Sequence, residues 1–209
     1  MSPRGRSAAQ GKRAAILDAA LRLFGRYGYK RTSIDDIAAD ADIAKGSVYL
    51  SFKSKEEIFR ALCEDIMRRI ETEAQRARDS GAPLADRILA ILQAKFGFYF
   101  ETVRNSPHAA ELIDSKNRLS AELFEKGDRR YQRILRDAID QGAARGEIDP
   151  RRQNLTSAAI VDLLLAGGYG IEHCATSTSM LNRRLAALVN VVLAGLRVNH
   201  VEKTDQPAG

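Results

Sequence analysis

The chain is 209 residues long, 44% hydrophobic and 29% charged, enough for one large domain or a small one joined to a medium one, with an ordinary hydrophobic core. No run of about eighteen apolar residues is present, which argues against a membrane span, and Arg4, Arg6, Lys12 and Arg13 stand where a secretory signal would need its apolar stretch. The net charge of +6 is unevenly placed: residues 1–60 hold 12 Lys/Arg against 7 Asp/Glu and the remainder 21 against 20, so the excess lies at the N-terminal end, where a polyanion could be read. Cys63 and Cys174 stand far apart within helical patterns and make no disulfide framework, which fits a reducing, cytoplasmic setting.

In chain order, everything periodic is helical. Ile16, Ala20, Leu23, Phe24 and Tyr27 share one helix face, and that helix stops at Gly28. A short helix follows, with Ser33 as N-cap, Asp36 as its capping-box partner, and Ile34, Ile37, Ala38 and Ala41 as its apolar face. Asp42-Ile43-Ala44 makes a tight connection to another short helix over about Lys45 to Phe52. Ser54-Lys55-Glu56-Glu57 is a capping box opening a long helix that carries Ile58, Leu62, Ile66 and Ile70 at helical spacing.

Asp79 to Pro83 reads as a junction. Further helices are expected over about Leu84 to Arg104, briefly after Pro107, over about Leu119 to Arg145, Leu155 to Cys174, and from Ser179 to about Val198. Residues 1–10 (basic) and 201–209 read as disordered tails. The expected fold class is all-α: an N-terminal three-helix domain over 11–60, continuing into a linking helix to about 78, then a second helical domain over 79–200.

Two short helices joined by a tight turn are what a helix-turn-helix reader needs, the second being slim enough for the major groove. Its outward residues are Lys45, Gly46, Ser47, Tyr49 and Ser51, while Val48 and Phe52, at i and i+4, turn to the core. Gly46 would let the backbone approach DNA closely, or is merely tolerated at a helix start.

From Thr32 to Phe59 the string T-S-I-D-D-I-A-A-D-A-D-I-A-K-G-S-V-Y-L-S-F-K-S-K-E-E-I-F resembles the DNA-binding signature of the tetracycline-repressor (TetR) family, and Phe24 to Tyr29 resembles the end of that family's first helix. The resemblance spans about residues 12–60 and implies that 11–60 is a helix-turn-helix DNA-binding domain and 79–200 a helical effector-binding and dimerisation domain. It implies phosphate contacts from Tyr49 and Lys55, with Lys53 assisting. Thr32 and Ser33 lie at a helix N-terminus suited to a phosphate, although Ser33 also serves as a cap. Lys45, Ser47 and Ser51 are the candidates for base edges. Two positions depart from the pattern. Asp42 replaces the usual glycine of the turn and must adopt a left-handed conformation, which aspartate tolerates. Ala44 replaces the usual Ser or Thr cap, at a cost of about 1 kcal/mol.

Phe96, Tyr99 and Phe100, with Phe124, Tyr131, Leu165, Tyr169 and His173, either line a pocket for an unknown small-molecule effector or fill the core. No histidine pair has metal-ligand spacing, and no metal or other cofactor is expected. The apolar stripe Leu181, Leu185, Leu188, Val192 and Leu196, with Ile160 and Leu164 on the preceding helix, suits a homodimer interface or an intrachain core. No nucleophile–base spacing or cofactor loop suggests an enzyme. The expected partners are a near-palindromic double-stranded DNA operator, a second copy of the chain and a small ligand, with no membrane. The expected function is a repressor released from its operator by that ligand; the alternative is an architectural or non-specific DNA binder without an effector.

Overall fold

Apolar residues recurring with helical period build eight α-helices in a computed structural model that describes residues 3–104, 108 and 121–198, with side chains from Gln10 onward and none at 103–104. In order they are α1 (Pro3–Tyr27), α2 (Ile34–Asp40), α3 (Lys45–Ser51), α4 (Lys55–Arg78), α5 (Leu84–Arg104), α6 (Ala121–Ala144), α7 (Ser157–Cys174) and α8 (Thr178–Ala194). The only strand-like pairing among the described residues is an isolated bridge between Ile148 and Arg197. None of the described helices is long and apolar enough to cross a membrane. The short helix expected after Pro107 and the 201–209 tail lie outside the described residues.

The helix boundaries follow local chemistry. Ser33 and Asp36 form a reciprocal capping box at α2. Ser54 accepts from the Glu57 N–H at 3.1 Å, but the Glu57 carboxylate takes the Lys53 N–H at 2.7 Å, one residue earlier than a capping box requires. Thr156 and Ser177 cap α7 and α8 through the N–H groups of Ala159 and Met180. Gly28 ends α1 at φ 85°, a left-handed turn that glycine adopts without a Cβ penalty.

Three expected boundaries move. Residues 3–10, expected as a tail, carry helical backbone of α1, with Pro3 at the start where its missing N–H costs no hydrogen bond. A 3-10 turn over Pro150–Gln153, closed by left-handed Asn154, delays α7 until Ser157. The last helix begins after Ser177 and stops at Ala194. Beyond it Leu196 runs beside the 148–149 segment, where its carbonyl accepts from Asp149 N–H at 2.7 Å.

One end of α4 packs against α1, and its length lies on α5 and α6, so a single unbroken helix belongs to both halves of the chain. Ile58, Leu62, Ile66, Met67 and Ile70 of α4 are all buried. Salt bridges reinforce both sides: Arg69 reaches Asp18 of α1 at 2.7 Å and Asp65 of its own helix at 2.5 Å, and Arg130 of α6 reaches Glu71 at 2.8 Å. Glycine lets α6 come close, since a Cβ on Gly127 would stand 2.5 Å from the Met67 side chain.

Helices α7 and α8 lie against α5 and each other. The stripe expected as a dimer interface is here the inside of this bundle. Ile160, Leu164, Leu181 and Leu185 are fully buried, Leu196 nearly so, and Leu188 and Val192 pack on the core as half-buried side chains. The reason is α5: one apolar stripe of α8 can bury against it only by facing inward. A Cβ on Gly167 would stand 2.7 Å from Leu188, and one on Gly168 2.2 Å from the ring of Phe96, so these glycines serve close packing within the chain.

Candidate nucleic-acid interface and the aromatic cluster behind it

The helix-turn-helix rests on a small apolar core. Ile16, Ala20 and Phe24 of α1 meet Ile37 of α2, Val48 of α3 and Phe52, with Ile58 and Phe59 from α4. Phe24, Tyr29 and Phe59 form a ring cluster with centroids 5.1 to 6.0 Å apart. Tyr27, expected on the buried face of α1, is 45% exposed; Tyr29 takes that place after the chain turns at Gly28. The turn between α2 and α3 passes through Asp42 at φ 53°, the left-handed conformation expected there. Ala44 makes no side-chain cap, as its chemistry requires.

Anchored by buried Val48 and Phe52, α3 presents the other flank to solvent: Lys45, Gly46, Tyr49 and Leu50 are exposed, and Ser47 and Ser51 are half-buried. A Cβ on Gly46 would meet no atom within 4 Å, so nothing in the chain itself demands glycine there. Lys45 pairs with Asp35 of α2 at 2.7 Å, and this hydrogen bond pushes its ammonium above the ordinary value. Both groups are well exposed, so the pair is weak and readily exchanged for another anion. The Ser51 hydroxyl sits 3.4 Å from the Ser47 carbonyl, turned back along its own helix.

Three of the expected phosphate contacts are committed elsewhere. The Thr32 side chain is buried and its hydroxyl donates to the Gly28 carbonyl at 2.9 Å, bracing the turn. The Ser33 hydroxyl donates to Asp36 at 2.6 Å and accepts that residue's N–H, and the hydroxyl bond, with the Ser33 N–H donating to the same carboxylate at 2.8 Å, holds the Asp36 carboxyl below its ordinary value. The Lys55 ammonium lies over the Tyr29 ring at 4.6 Å and donates to the carbonyls of Tyr29, Thr32 and Lys30 at 2.7, 2.8 and 3.4 Å. An ammonium has three donors, and here all three are spent inside the protein.

Sequence reasoning passed over other groups on this face. Leu50 is 89% exposed in the last turn of α3; its place at i+2 from buried Val48 could have revealed it. Lys30 and Arg31, beside the α1–α2 turn, are exposed and form no ion pair among the described residues; the same holds for Lys53, already expected to assist at a phosphate. The Arg13 guanidinium stacks on Phe52 at 4.3 Å, next to the end of α3. The acidic residues of α2 are partly neutralised, Asp40 by Arg22 at 2.5 Å and Asp35 by Lys45.

Behind this domain, the aromatic residues expected around an effector fall into two groups. Phe96, Tyr99, Phe100, Phe124, Tyr131 and Leu165 are buried; Tyr169 and His173 are exposed. Three tyrosines from three helices converge on Lys95 of α5, which sequence reasoning did not single out. Its ammonium lies 5.8, 5.2 and 5.1 Å from the rings of Tyr99, Tyr131 and Tyr169 and 2.7 Å from Asp128. Burial raises the hydroxyl pKa of Tyr99 and Tyr131 above the ordinary value. The Tyr131 hydroxyl is fixed by the Ile91 carbonyl at 2.7 Å, and that of Tyr99 faces the Met67 sulfur at 3.7 Å.

The outer faces of α7 and α8 carry apolar groups that the chain leaves uncovered. Leu163 is 50% exposed and Val191 73%. Ala166 and Gly170 continue the first stripe at helical spacing, and Ala187 and Ala194 the second; all four are exposed.

Residues 16–62 match the family model described as bacterial regulatory proteins, tetR family. The uncharacterized HTH-type transcriptional regulator YhgD of Bacillus subtilis is 27% identical over 158 residues, 74% of this chain and 81% of that protein. The HTH-type transcriptional repressor KstR2 of Mycolicibacterium smegmatis is 27% identical over 72% of this chain and 74% of its own length. Among solved structures, the SmeT–triclosan complex aligns with a TM-score of 0.69 at 23% identity, covering 95% of this chain and 99% of that one. SmeT is the repressor of the Stenotrophomonas maltophilia multidrug efflux pump SmeDEF. At that identity the likeness is one of fold.

Proposed function

We propose, from the match of residues 16–62 to the tetR family of bacterial regulatory proteins, that this chain is a homodimeric transcriptional repressor that leaves a near-palindromic operator when a small molecule binds its C-terminal domain. The single observation that carries the reading is α3, a short helix pinned by Val48 and Phe52 whose other flank is free of the protein body. Lys45, Ser47 and Ser51 face base edges, Gly46 permits close approach, Tyr49 hydrogen-bonds a phosphate through its hydroxyl, and Lys53, with Lys30 and Arg31 nearby, neutralises phosphates. Ser33 and Thr32 contribute through the geometry of the α2 N-terminus rather than through free hydroxyls.

The second copy covers the outward stripe of α7 and α8 around Leu163 and Val191, giving an isologous four-helix contact. A dimer then offers two α3 helices to successive major grooves, about 34–36 Å apart. Ligand release is supported by the continuity of α4, by the relative named a repressor, and by a protein of the same fold solved with triclosan. A ligand that favours another α4 position lowers operator affinity by its differential affinity for the two states, a coupling of about 1–3 kcal/mol.

Fragments selected from genomic DNA by the purified protein, then titrated by fluorescence anisotropy against unrelated DNA at fixed salt, test the reading. A regulator holds a preference of about 10³-fold or more. Equal affinity for both would replace it with the non-specific, architectural role.

A further inference from the structure

Lys95 is 1% exposed and, with Arg87, is one of two basic side chains among the described residues that are buried in the largely apolar core of this domain. Holding a charge there is costly unless its hydrogen bonds are met. Among the described residues its ammonium has one hydrogen-bond partner, Asp128 at 2.7 Å, and three tyrosine faces. An ammonium carries three donors; Asp128 accepts one, and the tyrosine rings surround the rest of the charge with π faces in place of further oxygen acceptors. Asp128, its counter-ion among the described residues, has a side chain 32% exposed, and Tyr169, which forms one wall, is 47% exposed. The cluster is thus closed on its inner side by Tyr99 and Tyr131 and open on its outer side through Asp128 and Tyr169. Gly168 and Gly170 flank Tyr169, and glycine within a helix lowers the cost of local opening.

Building on the reading as a ligand-released regulator, we propose that Lys95 and its tyrosine cage recognise a small lipophilic carboxylate, which enters past Tyr169 and replaces Asp128 as the counter-ion of the buried ammonium. The chemistry selects the sign. The cage already holds a cation, and a cationic ligand would meet it at short range in a poorly screened interior. The site now accommodates one carboxylate, so another can take its position with charge conserved, whereas a dianion would leave a buried negative charge uncompensated. An ammonium with one carboxylate partner and three aromatic faces around it suits a carboxylate carrying an apolar or aromatic body.

The exchange has a route to the DNA-binding half. Asp128 ties α6 to α5, and the preceding residue, Gly127, packs closely against Met67 of α4. The Tyr99 hydroxyl faces that same Met67 sulfur. Release of Asp128 therefore loosens α6 where it bears on the helix that carries the reading domain.

The test uses the full chain and benzoate as probe, with benzyl alcohol, benzylamine and sodium chloride at matched ionic strength as controls. In Asp128→Ala, which leaves Lys95 without its counter-ion, benzoate raises the melting temperature by several degrees and binds at least about tenfold more tightly than to the native chain. The controls do neither, and the effect is absent from Lys95→Met and from the double variant. If Asp128→Ala does not fold, Asp128→Asn takes its place, and the benzoate-induced shift of the native chain against Lys95→Met decides. A benzoate effect no larger than that of chloride, or one that survives Lys95→Met, overturns the proposal. Operator binding of the native chain without probe is measured on the same preparation: its failure overturns the regulator reading, whereas failure of the benzoate arm alone overturns only this assignment.

Discussion

Placing glutamate at Leu163 and Val191 together separates the two faces of the α7–α8 pair. Leu163 is 50% exposed and Val191 73%, so in the isolated chain these side chains touch little, and each replacement changes the fold's own stability by no more than about 0.5 kcal/mol. In the proposed dimer the same positions lie at the centre of the contact, where four introduced carboxylates face one another across the twofold axis. The expected outcome is a fall in light-scattering mass from twice 23.0 kDa to 23.0 kDa with the helical circular dichroism retained. The contrasting change is Leu185→Ala. That side chain is fully buried, so its truncation costs about 2–5 kcal/mol, and at about 2–4 °C per kcal/mol for a chain of this size the melting temperature falls by about 4–20 °C. Because dissociation also lowers apparent stability by mass action, melting is followed at two protein concentrations. The Leu185→Ala loss is independent of concentration. A double-glutamate chain that remains dimeric would refute the outward stripe as the interface, and a Leu185→Ala chain that melts normally as a monomer would return the interface to the inner stripe.

Lys55→Met removes a charged donor from the carbonyls of Tyr29 and Thr32 and lowers stability by about 1.5–3 kcal/mol. It leaves the slope of log affinity against log salt within half of the roughly 0.9 expected per phosphate contact, whereas Lys53→Ala lowers that slope by about 0.9; the reverse pattern would make Lys55 the phosphate ligand. Gly46→Ala meets nothing in the chain and raises thermal stability by up to about 1 kcal/mol, while operator affinity in anisotropy falls. Unchanged affinity would show that α3 does not approach DNA through Gly46. A thiol reagent at neutral pH labels exposed Cys174 and leaves Cys63 untouched, since burial pushes that thiol up to about 12; two labels per folded chain by mass spectrometry would contradict the packing of α4.

The reading domain was largely legible in one dimension because its signals are local. A cap, a left-handed turn residue and an i, i+4 apolar pair each act within a few residues, so Ser33 with Asp36, Asp42, and Val48 with Phe52 sit where their chemistry places them. Roles that depend on where a long side chain ends were less visible. Lys55 begins α4 as the motif requires, yet its ammonium folds back onto a loop more than twenty residues earlier in the chain.

By itself the order of amino acids determined an all-helical chain, the position of α3 and the long helix behind it, since periodicity and end-capping are properties of a single segment. Only tertiary structure decided which of the two apolar flanks of α8 is inside, because a helix with Leu185 on one flank and Val191 on the other can be turned either way until α5 occupies one side. It likewise brought Tyr99, Tyr131 and Tyr169 from three helices around Lys95. Helical spacing fixes an angle about one axis; it carries no information about which other axis lies across from it.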